Sequence, residues 1–159
     1  MAISATARSP SWRGAEGMAA TMTEMPRKPL PEPSGESRPY WEGLAAGRLM
    51  LQRCAACGRI RHYPRPLCDA CHSFETGWVA ASGEASVQSW TVAHHPYHPA
   101  FRGELPYTLV TADLPEGVRL VAQLRDAGPE ALRLGAPLRI GIEENGEGQA
   151  LPVLRLAGG

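Results

Sequence analysis

CAACGRIRHYPRPLCDAC, residues 54–71, contains every cysteine of the chain as two CxxC pairs, Cys54/Cys57 and Cys68/Cys71, with ten residues between them. A CxxC turn brings two sulfurs together on one tight knuckle. Two knuckles facing each other place four thiolates at the corners of a tetrahedron, the geometry that structural Zn²⁺ prefers. Ten residues are fewer than the roughly 15–20 of the reference spacing, but enough for a small β-turn excursion. Four cysteines in one short stretch and none elsewhere point to a metal staple, with iron as the rival ion because four thiolates also suit it.

Other uses of the cysteines fit less well. A thioredoxin-like redox pair needs a βαβ setting, and this stretch is dominated by Pro and Arg. Disulfides need an export signal. Four sulfurs leave no coordination position for water, so the site reads as structural rather than catalytic. Four thiolates around a divalent ion carry a net negative charge that Arg53, Arg59, Arg61 and Arg65 are placed to offset. Gly58 follows the first knuckle, where φ > 0 is often required. His72 occupies the equivalent place after the second, where it is read as a turn residue rather than a fifth ligand.

Acidic and basic residues balance at 16 each over 159 residues, so no global field draws the chain to nucleic acid or to a membrane surface. The balance is uneven, with six Arg against three acids over residues 38–80 and six Arg against nine acids over residues 81–159. No apolar run reaches the roughly 18 residues of a membrane span. The N-terminus, MAISATARSPSWRGAEGMAATM, lacks the continuous apolar core of a signal peptide. Reduced cysteines without an export signal lead to the expectation of a cytoplasmic protein. Residues 1–37 are expected to be a disordered or flexible arm, with Met18, Met22 and Met25 as candidate true starts.

From Pro39 the pattern changes. Tyr40, Trp41, Leu44 and Ala45 fall at helical spacing behind a proline start, and Gly47 ends the helix. Both aromatics are expected in a core. Leu49 and Leu51 alternate with Met50 and Gln52 in a short strand entering the first knuckle. Five apolar stretches follow: GEASVQSWTVAHH with Ala85, Val87, Trp90 and Val92; PYTLVTADL (106–114); VRLVAQLRD (118–126); PLRIGIEE with Leu138, Ile140 and Ile142; and LPVLRL near the end. In the third, Val118, Leu120, Ala122 and Leu124 form one face of a half-buried strand. PEG at 115–117 and NGEG at 145–148 supply turns, and GPEALRLG allows one short helical turn between strands three and four. The expected protein is mostly β: an arm (1–37), a short helix with a zinc ribbon (38–77), then a five-stranded OB-fold barrel (78–157), with a generic small β-barrel or sandwich as the alternative.

The loop HHPYHPAFRGELPY (94–107) joins the first two barrel strands. Its His94, His95 and His98 invite a second metal or a general base. No carboxylate stands at a spacing that would orient an imidazole, and no Ser or Cys nucleophile accompanies them, so a ligand-lining or interface role for His94, His95, Tyr97 and Phe101 is expected instead.

The order YWEGLAAGRLMLQRCAACGRIRHYPRPLCDAC, GEASVQSWTVAHHP, PYTLVTADLPEGVRL and LRLGAPLRI resembles the domain-of-unknown-function thirty-five family over residues 38–157. One departure is His72, where glycine is common. The resemblance implies a rubredoxin-like zinc ribbon before an OB fold, with Cys54, Cys57, Cys68 and Cys71 as metal ligands. It also implies an accessory subunit of lipid metabolism, seated beside a thiolase-like, aldolase-like or MaoC-like hydratase enzyme and helping to form its acyl-CoA channel. It assigns no catalytic residue to this chain. Arg59, Arg61 and Arg65 are candidates for phosphate contacts, since Arg forks suit phosphates; offsetting the thiolates is their other use. Two further readings remain at this stage. One is a module for single-stranded nucleic acid, which would require a basic groove with stacking rings. The other is a free-standing enzyme using the loop histidines.

Overall fold

The computed structural model describes residues 27–158. Most of the expected arm, residues 1–26 with its candidate start methionines, lies outside the described residues. Of its last part, Lys28, Pro29, Leu30 and Pro31 lie beside Tyr97, Phe101 and Glu104 of the loop at 94–107.

Helix α1 spans Arg38–Ala45 with a proline in its first turn, and buries Tyr40, Gly43 and Leu44 along one face. Gly43 is required there by contact: a Cβ would collide with Met50 Cγ and stand 2.9 Å from the Arg48 carbonyl. The chain leaves the helix through Gly47 at φ +73° and enters β1 (Met50–Cys54). That strand pairs antiparallel with β2 (Ile60–Arg61) on one side and β3 (Thr76–Ala80) on the other. Nothing in the residue pattern marks β3, yet it pairs with β1 along its whole length and runs through position 77, where ribbon and barrel were expected to meet.

The five apolar stretches form five strands: β4 (Glu84–Ala93), β5 (Tyr107–Asp113), β6 (Arg119–Leu124), β7 (Pro137–Glu144) and β8 (Ala150–Leu156). They close into a barrel in the order β4-β5-β6-β8-β7, with β6 and β8 parallel and the other pairs antiparallel. One 3₁₀ turn, Pro129–Ala131, lies between β6 and β7 as expected. This is the five-stranded Greek-key barrel of the OB fold. A register shift between Val87 and Ser89 explains why the apolar positions of β4 change parity along the strand.

Ribbon and barrel share one core. Tyr40, Leu44, Leu49 and Leu51 from the first part pack in the same cluster as Val87, Val110, Leu120, Leu138 and Leu154 from the barrel. Each such leucine contributes about 1.5–3 kcal/mol by leaving water. Three positions depart from expectation. Gln52 is buried, because its Oε1 accepts the Arg65 backbone N–H at 2.9 Å and so ties the long loop to β1. Trp90 reaches the surface. Val121, in the outward register of β6 where the other residues are polar, is 44% exposed. No helix among the described residues is long and apolar enough to cross a membrane.

Candidate metal centre and barrel groove

The knuckles repeat one local geometry. The Cys54 carbonyl accepts from Gly58 N–H at 2.9 Å, and the Cys68 carbonyl accepts from His72 N–H at 3.0 Å. Likewise Cys54 N–H donates to Arg59 and Cys68 N–H to Ser73, at 2.9 and 3.0 Å. Both turns need a left-handed residue, supplied by Gly58 at φ +78° and by His72 at φ +57°. A side chain in that region costs about 1 kcal/mol or more. His72→Gly is therefore expected to stabilise the protein by about 1 kcal/mol, read as a rise in denaturant midpoint at unchanged slope.

The four sulfurs lie within 4.8 Å of one another, with Cys54–Cys71 at 3.5 Å and Cys57–Cys68 at 3.7 Å. Sulfurs about 2.3 Å from a tetrahedral zinc stand roughly 3.8 Å apart. A disulfide would need about 2.05 Å, and all four cysteines are free. Backbone N–H groups aim at the sulfurs: those of Ala70 and Cys71 pull the Cys68 thiol down to about 6, and that of Cys57 lowers Cys54. Cys71 receives the Ser73 N–H, but the facing sulfurs of Cys54 and Cys57 outweigh it and push the thiol up to about 12. Three sulfurs thus resist ionisation of the fourth, which is the electrostatic problem that a cation in their midst removes. The donor set fits a metal ion. His72 is not part of the cluster.

The loop histidines form no second centre: the cysteine group is the only metal-competent cluster among the described residues. His94 and His95 are exposed, and His98 caps the 3₁₀ helix Pro99–Glu104 by accepting the Ala100 N–H on Nδ1 at 3.3 Å. The same turn brings Tyr97 and Phe101 into a groove of about 330 Å³ on the outer face of β5, β6 and β8. Its floor includes Tyr107, Leu109, Val121 and Leu151, and Tyr40 of α1 also lines it. At its rim Glu143 is bound by Arg125 and Arg155. The described end of the arm lies beside it, with Lys28 paired to Glu104 and 5.5 Å above the Phe101 ring. The floor residues were legible in principle: Leu109 and Val121 are apolar in the register that faces outward.

Arg59, Arg61 and Arg65 line a notch of about 190 Å³ between the knuckle loop and the β5–β6 turn, with His62, Tyr63, Asp69, Gly117 and Val118 and no cysteine. His62 stacks near Tyr40 (5.5 Å) and Tyr63 (3.9 Å). Burial pushes its imidazole down to about 4. The unfolded chain therefore takes up this proton first as pH falls. Stability from a neutral His62 is complete above about pH 6.5 and is lost progressively down to about pH 4. Denaturant titrations should show a loss on the order of 2–3 kcal/mol across that window, and His62→Phe should remove that part of the slope.

A four-thiolate ribbon fused through a common core to an OB barrel defines a zinc-ribbon/OB-fold protein. Two family models match in succession, the ChsH2 rubredoxin-like zinc ribbon domain over residues 41–77 and the ChsH2 C-terminal OB-fold domain over residues 78–143. A solved "Ltp2-ChsH2(DUF35) aldolase" chain is 38% identical with a TM-score of 0.73, over 80% of this chain and 98% of that one. A "probable enoyl-CoA hydratase alpha subunit" of Thermomonospora curvata is 40% identical over 82% of this chain and 40% of its own length. The "3-oxo-4,17-pregnadiene-20-carboxyl-CoA hydratase alpha subunit" of Mycobacterium tuberculosis is 34% identical over 69% of this chain and 34% of its own. The chain belongs to the DUF35 family of ChsH2-type zinc-ribbon and OB-fold proteins. It spans about 40% or less of the two hydratase subunits it matches. The nucleic-acid alternative finds no support, because the groove is lined by Glu104, Glu143 and Glu144, and its neighbouring cations Lys28, Arg125 and Arg155 are each paired to one of these carboxylates.

Proposed function

We propose that this protein is a non-catalytic subunit that binds an acyl-CoA enzyme of the thiolase-like, aldolase-like or MaoC-like hydratase kind, and that its barrel contributes one wall of that enzyme's acyl-CoA channel. The observation that carries the reading is the groove: an apolar floor left open on a barrel whose interior is already filled by side chains. An apolar surface of this kind gains most by being covered by a ligand or partner. Tyr97 and Phe101 supply the aromatic wall, and among the described residues no Ser, Thr, Cys or His lines the groove. Zn²⁺ is the ion for the four cysteines, in keeping with the rubredoxin-like zinc ribbon match, and the ribbon holds α1 against β8 so that Tyr40 borders the groove. Four free cysteines suited to a metal ion support a cytoplasmic location.

The test is recovery of tagged full-length protein from its native host. A thiolase-, aldolase- or hydratase-like chain should co-purify in stoichiometric amount, and acyl-CoA turnover should require that chain. Recovery of the protein alone, or steady turnover by the isolated chain that is abolished by His94→Ala or His95→Ala, would overturn the proposal.

A further inference from the structure

Arg61 lies on β2 at 5% exposure, and none of its three guanidinium nitrogens has a hydrogen-bond partner. An unpaired buried cation is strongly unfavourable, and in folded proteins such groups are matched by an anion. The described residues offer none. Asp69, the single carboxylate lining the notch, is engaged by Arg59 at 3.0 Å. Glu116, on the β5–β6 turn, directs Oε1 to the Ser82 N–H, and its Oε2 has no partner, so it forms no bond with Arg61. Nor does Arg61 donate to a sulfur.

We infer that the notch lined by Arg59, Arg61 and Arg65 is a binding site for a phosphoryl group. Three arginines and one carboxylate line about 190 Å³, room for a compact tetrahedral oxyanion but not for a segment of folded chain. Guanidinium forks bind such oxyanions in bidentate fashion. His62, held neutral, can donate one further N–H, and both its ring nitrogens are buried without partners. The group could be free phosphate or pyrophosphate, or the nucleotide end of coenzyme A. In the second case the site extends the subunit reading above, because Tyr40, which borders the groove, lies 5.5 Å from His62, which borders the notch. The anion site itself does not depend on that reading.

The experiment is calorimetric titration and thermal melting of full-length, metal-loaded protein with inorganic phosphate, pyrophosphate, coenzyme A and 3′-dephospho-coenzyme A. Saturable binding with a raised melting temperature is expected for at least one probe, and the probe that binds best identifies the source. Arg61→Met should fold with equal or greater stability in the absence of ligand, since an apolar side chain replaces an orphaned charge, and should weaken binding about tenfold or more. Arg65→Ala, on an exposed residue, should weaken binding too and serves if Arg61→Met does not fold. Arg133→Ala, outside the notch, should not. The inference is overturned if no probe saturates, or if both notch variants bind like the parent. It is also overturned if Glu116→Gln destabilises the protein while no probe binds, since Glu116 would then be the counter-ion. Loss of a co-purifying enzyme on Arg61→Met without any phosphoryl binding would assign the notch to a partner's carboxylate instead.

Discussion

Cys68→Ser should release the bound ion and unfold the two knuckles, while β4 to β8 keep their amide protection. Cys68 is fully buried and receives two backbone N–H groups on its sulfur, so a hydroxyl there loses both the thiolate ligand and a fitted site. Binding of a structural zinc by four such ligands supplies on the order of 10 kcal/mol of folding free energy. Between Cys54 and Glu75 there is little to replace it: β2 is two residues long, and the loop between the knuckles carries exposed Tyr63 and Leu67. Stripping the ion with a chelator should do the same to the parent protein, and re-addition of zinc should restore it. Hydrogen exchange resolved by residue, together with elemental analysis, checks both outcomes. A Cys68→Ser protein that keeps its ion and its protection over residues 54–75 would sink the account of the metal centre.

Leu51→Ala should cost about 2–5 kcal/mol and lower ribbon and barrel together. Leu51 is completely buried on β1, yet its neighbours in the core extend through α1 into the barrel. Removing its branched side chain opens a cavity at the junction, and the surrounding strands, fixed by pairing on both sides of β1, can collapse only partly. Leu134→Ala is the control: that residue is 73% exposed and should change stability by less than about 0.5 kcal/mol. Denaturant unfolding followed by tryptophan fluorescence and by far-ultraviolet circular dichroism should give coincident transitions in both variants. Two separate transitions, with only one moved by Leu51→Ala, would show that the parts do not share a core.

Cysteine spacing and strand alternation are local properties, and they carried far. The two CxxC turns predict facing knuckles, and the sulfurs meet; the five apolar stretches predict five strands, and their bounds agree to within a few residues with β4–β8. His72 was readable as a left-handed position because it repeats the place of Gly58. Harder to see were features made by pairs of distant segments. β3 has no marked pattern because its strand character comes from its full-length pairing with β1. Gln52 looks solvent-facing until the Arg65 N–H arrives to satisfy it.

The clustering of the four cysteines and the number of barrel strands were thus written in spacing and periodicity, since a CxxC turn and a two-residue repeat fix side-chain direction within a few bonds. Only folding revealed that Arg61 is buried without a counter-ion, that Tyr97 and Phe101 turn toward the outer face of β5 and β6 while His94 and His95 point to solvent, and that one core spans both parts. Those features depend on which surfaces long-range packing brings together and which it leaves uncovered, and no short window of residues contains that information.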